Sequence, residues 1–189
     1  MLSVIASPLV VLLLLLSVPA SAAPPSEGAA GGEGLPLWPV PGADGGRRPA
    51  VDRAYDPPPA PWRAGHRGVD LRTDAGAPVR AAGPGRVTFA GQVAGRGVVT
   101  VELDGSGTPP VRITHEPLAV AVTTGDRVAA GALLGTLAAG PGHCAAPCLH
   151  WGATRDGAYL DPLTLLRPDL LRAGPSRLLP TTGVPLPAG

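Results

Sequence analysis

Apolar and polar positions alternate with a period of two through the middle of this chain. In RGVVTVELDGSG, Val99, Val101 and Leu103 alternate with Thr100 and Glu102, and a turn follows at Asp104-Gly105. That is the pattern of a half-buried strand. PVRAAGPGRVTFAG gives two short β-prone runs around Gly83-Pro84-Gly85, and VRITHEPL a further strand. TTGDRVAAGALLGTL sets turn glycines 125 and 131 among apolar residues, and CLHWGATRDG ends a last strand at Asp156-Gly157. DPLTLLRP (161–168) reads as one helical turn closing the domain. There is no long amphipathic helix and no repeat of fixed period. Short strands bounded by turn residues predict an all-β fold, a compact antiparallel sheet or barrel-sandwich.

The flanks follow a different pattern. Leu9 to Leu16 is an unbroken apolar run, followed by the small-x-small sequence Ala20-Ser21-Ala22. This is the shape of a secretory signal over 1–22, although its first residues carry no Lys or Arg. An uncleaved anchor is the alternative. Pro8 and Pro19 bracket the run, which is short for a spanning helix of ~20 residues. Export with cleavage is therefore expected, with no stable membrane anchor afterwards. Residues 23–35 read as a flexible linker, 36–167 as the domain and 168–189 as a Pro-rich disordered tail. The tail holds LPTTG (179–183), which fits a sortase pattern but lacks the hydrophobic span and basic end; it reads as coincidence or a degenerate remnant.

Composition narrows the function classes. The 189 residues include 27 Gly and 25 Pro, and aromatics make up only 3%, so the core must be Val, Ala and Leu. All fifteen basic residues are Arg, a usage that points to a GC-rich genome. The net charge of +1 and the absence of a basic run argue against a nucleic-acid platform. GDRVAAGALLGTL has the hairpin rhythm of lipoyl or biotinyl carriers, but those need a lysine and the chain has none. GSG (105–107) sits in a turn and marks no serine nucleophile.

The candidate chemistry lies in four histidines and two cysteines. GHRGVDL places His66 and Asp70 four apart, in a Gly-rich loop entering a strand. Imidazole nitrogen and carboxylate oxygen suit zinc, while an exposed His beside an Asx-turn Asp is the plainer reading of the pair alone. CLHWG puts Cys148 and His150 two apart on one strand face, with Trp151 turned to the core. His150 would complete a set of two histidines and a carboxylate, leaving a position open for water. Cys144 and Cys148 are separated by three residues in a Pro-containing loop, and in an exported domain they are expected to form a disulfide. Arg63, Arg67 and Arg72 flank the loop and read as solvated, or as contacts for substrate carboxylates.

Together, GHRGVDLRTDAGAPVRAAGPGRVTFAG, GRGVVTVELDG, TTGDRVAAGALLGTL and CLHWG resemble the lysostaphin/LytM-type zinc metallo-endopeptidases of peptidoglycan, and WPVPG (38–42) resembles the start of that domain. The resemblance covers nearly all of 36–167. It implies a β-rich fold with a narrow groove, one zinc ion, peptidoglycan as partner and cleavage of its peptide cross-links in the cell envelope. Carried over by motif, H-x-x-x-D falls on His66 and Asp70, and the second His of H-x-H on His150, as zinc ligands. The family's two catalytic histidines fall on Cys148 and Pro117, the latter through Y-x-H-L at His115-Glu116-Pro117-Leu118.

That departure leaves two expectations. In the first, the chain is an active endopeptidase in which His115 substitutes for the missing proton carrier. On a regular strand His115 shares the face of Pro117, ~7 Å along it, and Glu116 takes the other face. His143, before the cysteine loop, is a further candidate. In the second, the chain binds zinc without hydrolysis and serves as a cell-wall binding module or an amidase activator.

Overall fold

Residues 34–60, 62–139 and 144–172 are described in a computed structural model of the chain. The alternating segments form strands, as their period dictates. They are β1 (Val51–Arg53), β2 (Gly68–Arg72), β3 (Pro78–Arg80), β4 (Gly85–Val93), β5 (Arg96–Leu103) and β6 (Val111–Glu116). β7 (Leu118–Val120), β8 (Arg127–Val128), β9 (Leu133–Leu137), β10 (Cys148–Arg155) and β11 (Ala158–Leu160) follow. A 3-10 turn (Pro162–Leu165) and the short helix α1 (Pro168–Leu171) close the described chain. The turn occupies the predicted DPLTLLRP segment, and the Asp161 carboxylate accepts from the Leu163 amide at 3.0 Å to cap it.

The main sheet has the order β1-β2-β10-β6-β5-β4-β8, with β11 also paired to β10. A second sheet runs β3-β9-β7. Every ladder between these strands is antiparallel. The main sheet stays open, with β1 and β8 as its ends. β4 and β5 form a hairpin through Ala94-Gly95, whose φ values of 49° and 78° suit the twist of the flanking strands.

Register decides what each face carries, because residues opposite each other across an antiparallel ladder share a face. Leu71 faces Leu149, and Val69 faces Trp151. Trp151 faces His115, and His115 faces Val99. Ile113 and Val101 continue the same side. All of these are 1% exposed or less and form the core with Val79, Val87 and Leu134. One residue out of step, Asp70, His150 and Glu116 stand in a row on the opposite face. The fold thus sets a hydrophobic layer beneath a polar one, and β10 is the central strand of both.

The ordered domain extends beyond the expected 36–167. Leu35 and Leu166 form a parallel bridge. Leu170 and Leu171 pack on the core, and the Trp38 indole donates to the Leu170 carbonyl at 3.3 Å. Residues 168–172 are therefore part of the domain rather than of a disordered tail. The expected signal segment, most of the linker, LPTTG and His143 lie outside the described residues.

Candidate metal centre

His66 and Asp70 reach the same point from two pieces of backbone. Asp70 is the third residue of β2, while His66 precedes the strand in an isolated bridge to Asp56. The two backbone bonds of that bridge, His66 N–H to Asp56 O at 2.6 Å and the reverse at 3.0 Å, fix the loop. Gly65 makes this approach possible, since a Cβ there would lie 2.7 Å from the Asp56 carbonyl oxygen. His150 comes from β10, directly opposite Asp70. Gly68 lets the His150 ring lie across β2, since a Cβ at 68 would be 2.9 Å from its Cε1 and Nε2.

The donor atoms converge tightly. His66 Nε2 is 3.1 Å from Asp70 Oδ1 and 3.2 Å from His150 Nδ1, and His150 Nδ1 is 2.9 Å from Asp70 Oδ1. His66 and Asp70 are 4% and 1% exposed, and the His150 side chain 16%. His66 Nδ1 donates to the Ala54 carbonyl at 2.7 Å, so the ring in its neutral form turns a lone pair on Nε2 toward the cluster. Nitrogen and carboxylate lone pairs at such separations repel unless a proton or a cation lies among them. A tetrahedral zinc ion with bond lengths of about 2.0–2.1 Å spaces its ligands by roughly 3.3 Å. The three residues fit that ion in donor type, in spacing and in tautomer.

The other sequence candidates lie elsewhere. The structure turns His115 away from the cluster, into the core beside Trp151 and Val99. It is 1% exposed, and its Nδ1 donates to the Val99 carbonyl at 3.3 Å. Burial pushes its pKa down to about 4, partly offset by that bond. The expected parity is thus reversed: Glu116, not His115, shares the face of the cluster. β6 ends at Glu116 and β7 begins at Leu118, so parity read back from Pro117 does not cross the break. The alternation Val111, Ile113, His115 within β6 carried the correct signal.

Cys144 and Cys148 form the expected disulfide. Cys148, at the start of β10, is 6% exposed. The residues at the family's two proton-carrier positions, Pro117 and Cys148, line one cleft of about 300 Å3 together with Glu116 and Arg96. Arg96 Nε stands 3.7 Å from the Glu116 carboxylate. A second cleft, about 310 Å3, is lined by Asp52, Arg53, Asp70, Arg72 and residues 144–146. Arg72 pairs with Asp52 at 2.6 Å, and Arg67 lies over the Tyr159 ring at 5.4 Å while bonding the Arg63 carbonyl.

Comparisons with known proteins bear on the family and the fold. A family model described as peptidase family M23 matches residues 64–162. An uncharacterized protein of Mycobacterium tuberculosis is 46% identical over 132 residues, which is 67% of this chain and 51% of the relative. An uncharacterized protein of Mycobacterium bovis matches equally. The chain therefore spans about half the length of the curated relatives it matches. Among solved structures, the antimicrobial peptidase lysostaphin from Staphylococcus simulans superposes with a TM-score of 0.60 at 23% identity, over 82% of this chain and 63% of that one. A zinc-containing peptidase from Vibrio cholerae gives 0.55 at 22% identity, over 69% and 39%. These two likenesses show the fold.

Proposed function

Since this chain belongs to peptidase family M23, we propose that it is an exported zinc metallo-endopeptidase acting on peptide cross-links of bacterial peptidoglycan in the cell envelope. One observation carries the reading: His66 Nε2, Asp70 Oδ1 and His150 Nδ1 converge to within 3.2 Å on the polar face of the sheet. His66, Asp70 and His150 would hold the zinc ion, which would supply an acidified water and polarisation of a carbonyl.

The chain's own residues do the rest. The Ala54 carbonyl holds the His66 tautomer, and the pairing of β2 with β10 fixes Asp70 against His150. Proton transfer falls to Glu116, the carboxylate opposite His150 on the same face. Arg96 Nε stands 3.7 Å from its carboxylate, and both line the cleft that Cys148 also lines.

A second reading, a zinc-binding but non-hydrolytic cell-wall module or amidase activator, is favoured by one observation. Pro117 and the bridged Cys148 stand where the family keeps proton-carrying histidines, and neither can carry a proton. Incubating the purified chain with peptidoglycan and zinc, then measuring new amino termini, separates the two. The endopeptidase releases termini, His66→Ala abolishes release, and Glu116→Gln lowers it ~10²–10⁴-fold. Zinc bound without release establishes the second reading; absence of bound zinc refutes both.

A further inference from the structure

Asp70 belongs to two convergent groups of ligating atoms. One is the cluster with His66 and His150; in the other, its carboxylate and the Sγ atoms of Cys144 and Cys148 all lie within 4.8 Å of one another. Cys148 and His150 stand on the same face of β10, two residues apart. Bridged as a disulfide, neither sulfur is a metal ligand, because the ligand is the thiolate. The bridge is also reachable, since Cys144 lines both clefts, one of which Asp70 lines as well.

We propose that Cys144, Cys148 and Asp70 form a redox-gated metal site, closed off by the disulfide and opened by its reduction. A dithiol reductant supplies two electrons and two protons: the Cys144–Cys148 bond breaks, the reductant's own disulfide forms, and two thiols result. On metal uptake each thiol releases its proton to the buffer. Two soft thiolates and a hard carboxylate suit zinc or its spectroscopic substitute cobalt(II). Oxidised protein offers the ion the open two-histidine, one-carboxylate set. Reduced protein draws Asp70 into competition between that set and the thiolates. The redox state of one bond then sets whether the open centre keeps its carboxylate.

The site rests on the cysteines and Asp70, so its test is independent of peptidase activity. Full-length protein is reduced with a dithiol, freed of reductant without air, and titrated with cobalt(II) beside its oxidised form. A near-ultraviolet thiolate-to-cobalt charge-transfer band is expected in reduced wild type and in reduced His66→Ala. It is expected to be missing from oxidised wild type and from reduced Cys148→Ser. Near-ultraviolet circular dichroism follows folding in each sample. Reduced wild type with two titratable thiols but no band overturns the proposal, whether or not it stays folded. An undiminished band in Cys148→Ser, or its loss in His66→Ala, overturns it equally. Oxidised protein that binds no cobalt, beside reduced protein that shows the band, refutes the histidine centre and leaves this site standing.

Discussion

His115 shows how one side chain's direction becomes a property of the whole fold. It is neutral in the core, with a pKa pushed down to about 4 from the 6.5 of an exposed histidine. The unfolded chain takes up a proton below about 6.5, and the folded chain does not until about 4. The contribution is therefore fully present above pH 6.5 and is lost as pH falls through that window, by on the order of 3 kcal/mol. Urea unfolding at pH 7 and pH 4.5 should show a smaller loss for His115→Gln than for wild type. An equal loss in both proteins would contradict the buried, neutral state. At this scale the sequence was legible for His66, Asp70 and His150, whose types and spacing survive as a motif, and for the cysteine pair. It misled at His115 because strand parity holds only within a strand, and β6 ends between His115 and the proline used as reference.

Among the elements, β10 carries most of the responsibility. It pairs with β2 through residues 148–152 and with β6 through 150–155, so His150 is fixed from both sides. Gly68, at the start of β2, is where these demands meet. A Cβ there would stand 2.5 Å from the Trp151 carbonyl oxygen as well as against the His150 ring. Gly68→Ala should therefore push β2 and β10 apart, lowering stability by about 2 kcal/mol or more and zinc affinity at least tenfold. Thermal melts and zinc titration read the two effects, and an unchanged affinity would show that His150 does not depend on this approach. The strands themselves were readable from local alternation. Their order was not, because β2 meets β10 and β10 meets β6 across long sequence separations that leave no local trace.

For the whole molecule, the proposed metal site links ion binding to folding. An ion bound by the native state alone stabilises it by about 2.7 kcal/mol at a free concentration one hundred times the Kd. Zinc should therefore raise the melting temperature by roughly 5–15 °C. A chelator should reverse the gain, and His66→Ala should show none, which differential scanning calorimetry would record.

The ends of the ordered domain meet in the Leu35–Leu166 bridge. Leu35 donates to the Leu165 carbonyl at 2.6 Å, and Arg167 donates to the Leu35 carbonyl at 3.1 Å. Because this pairing is parallel, tension applied to the two flanks loads both bonds at once, in shear, rather than peeling them one after the other. A pull on both flanks would therefore load this clasp, with α1 beside it, before it reached β2 and β10.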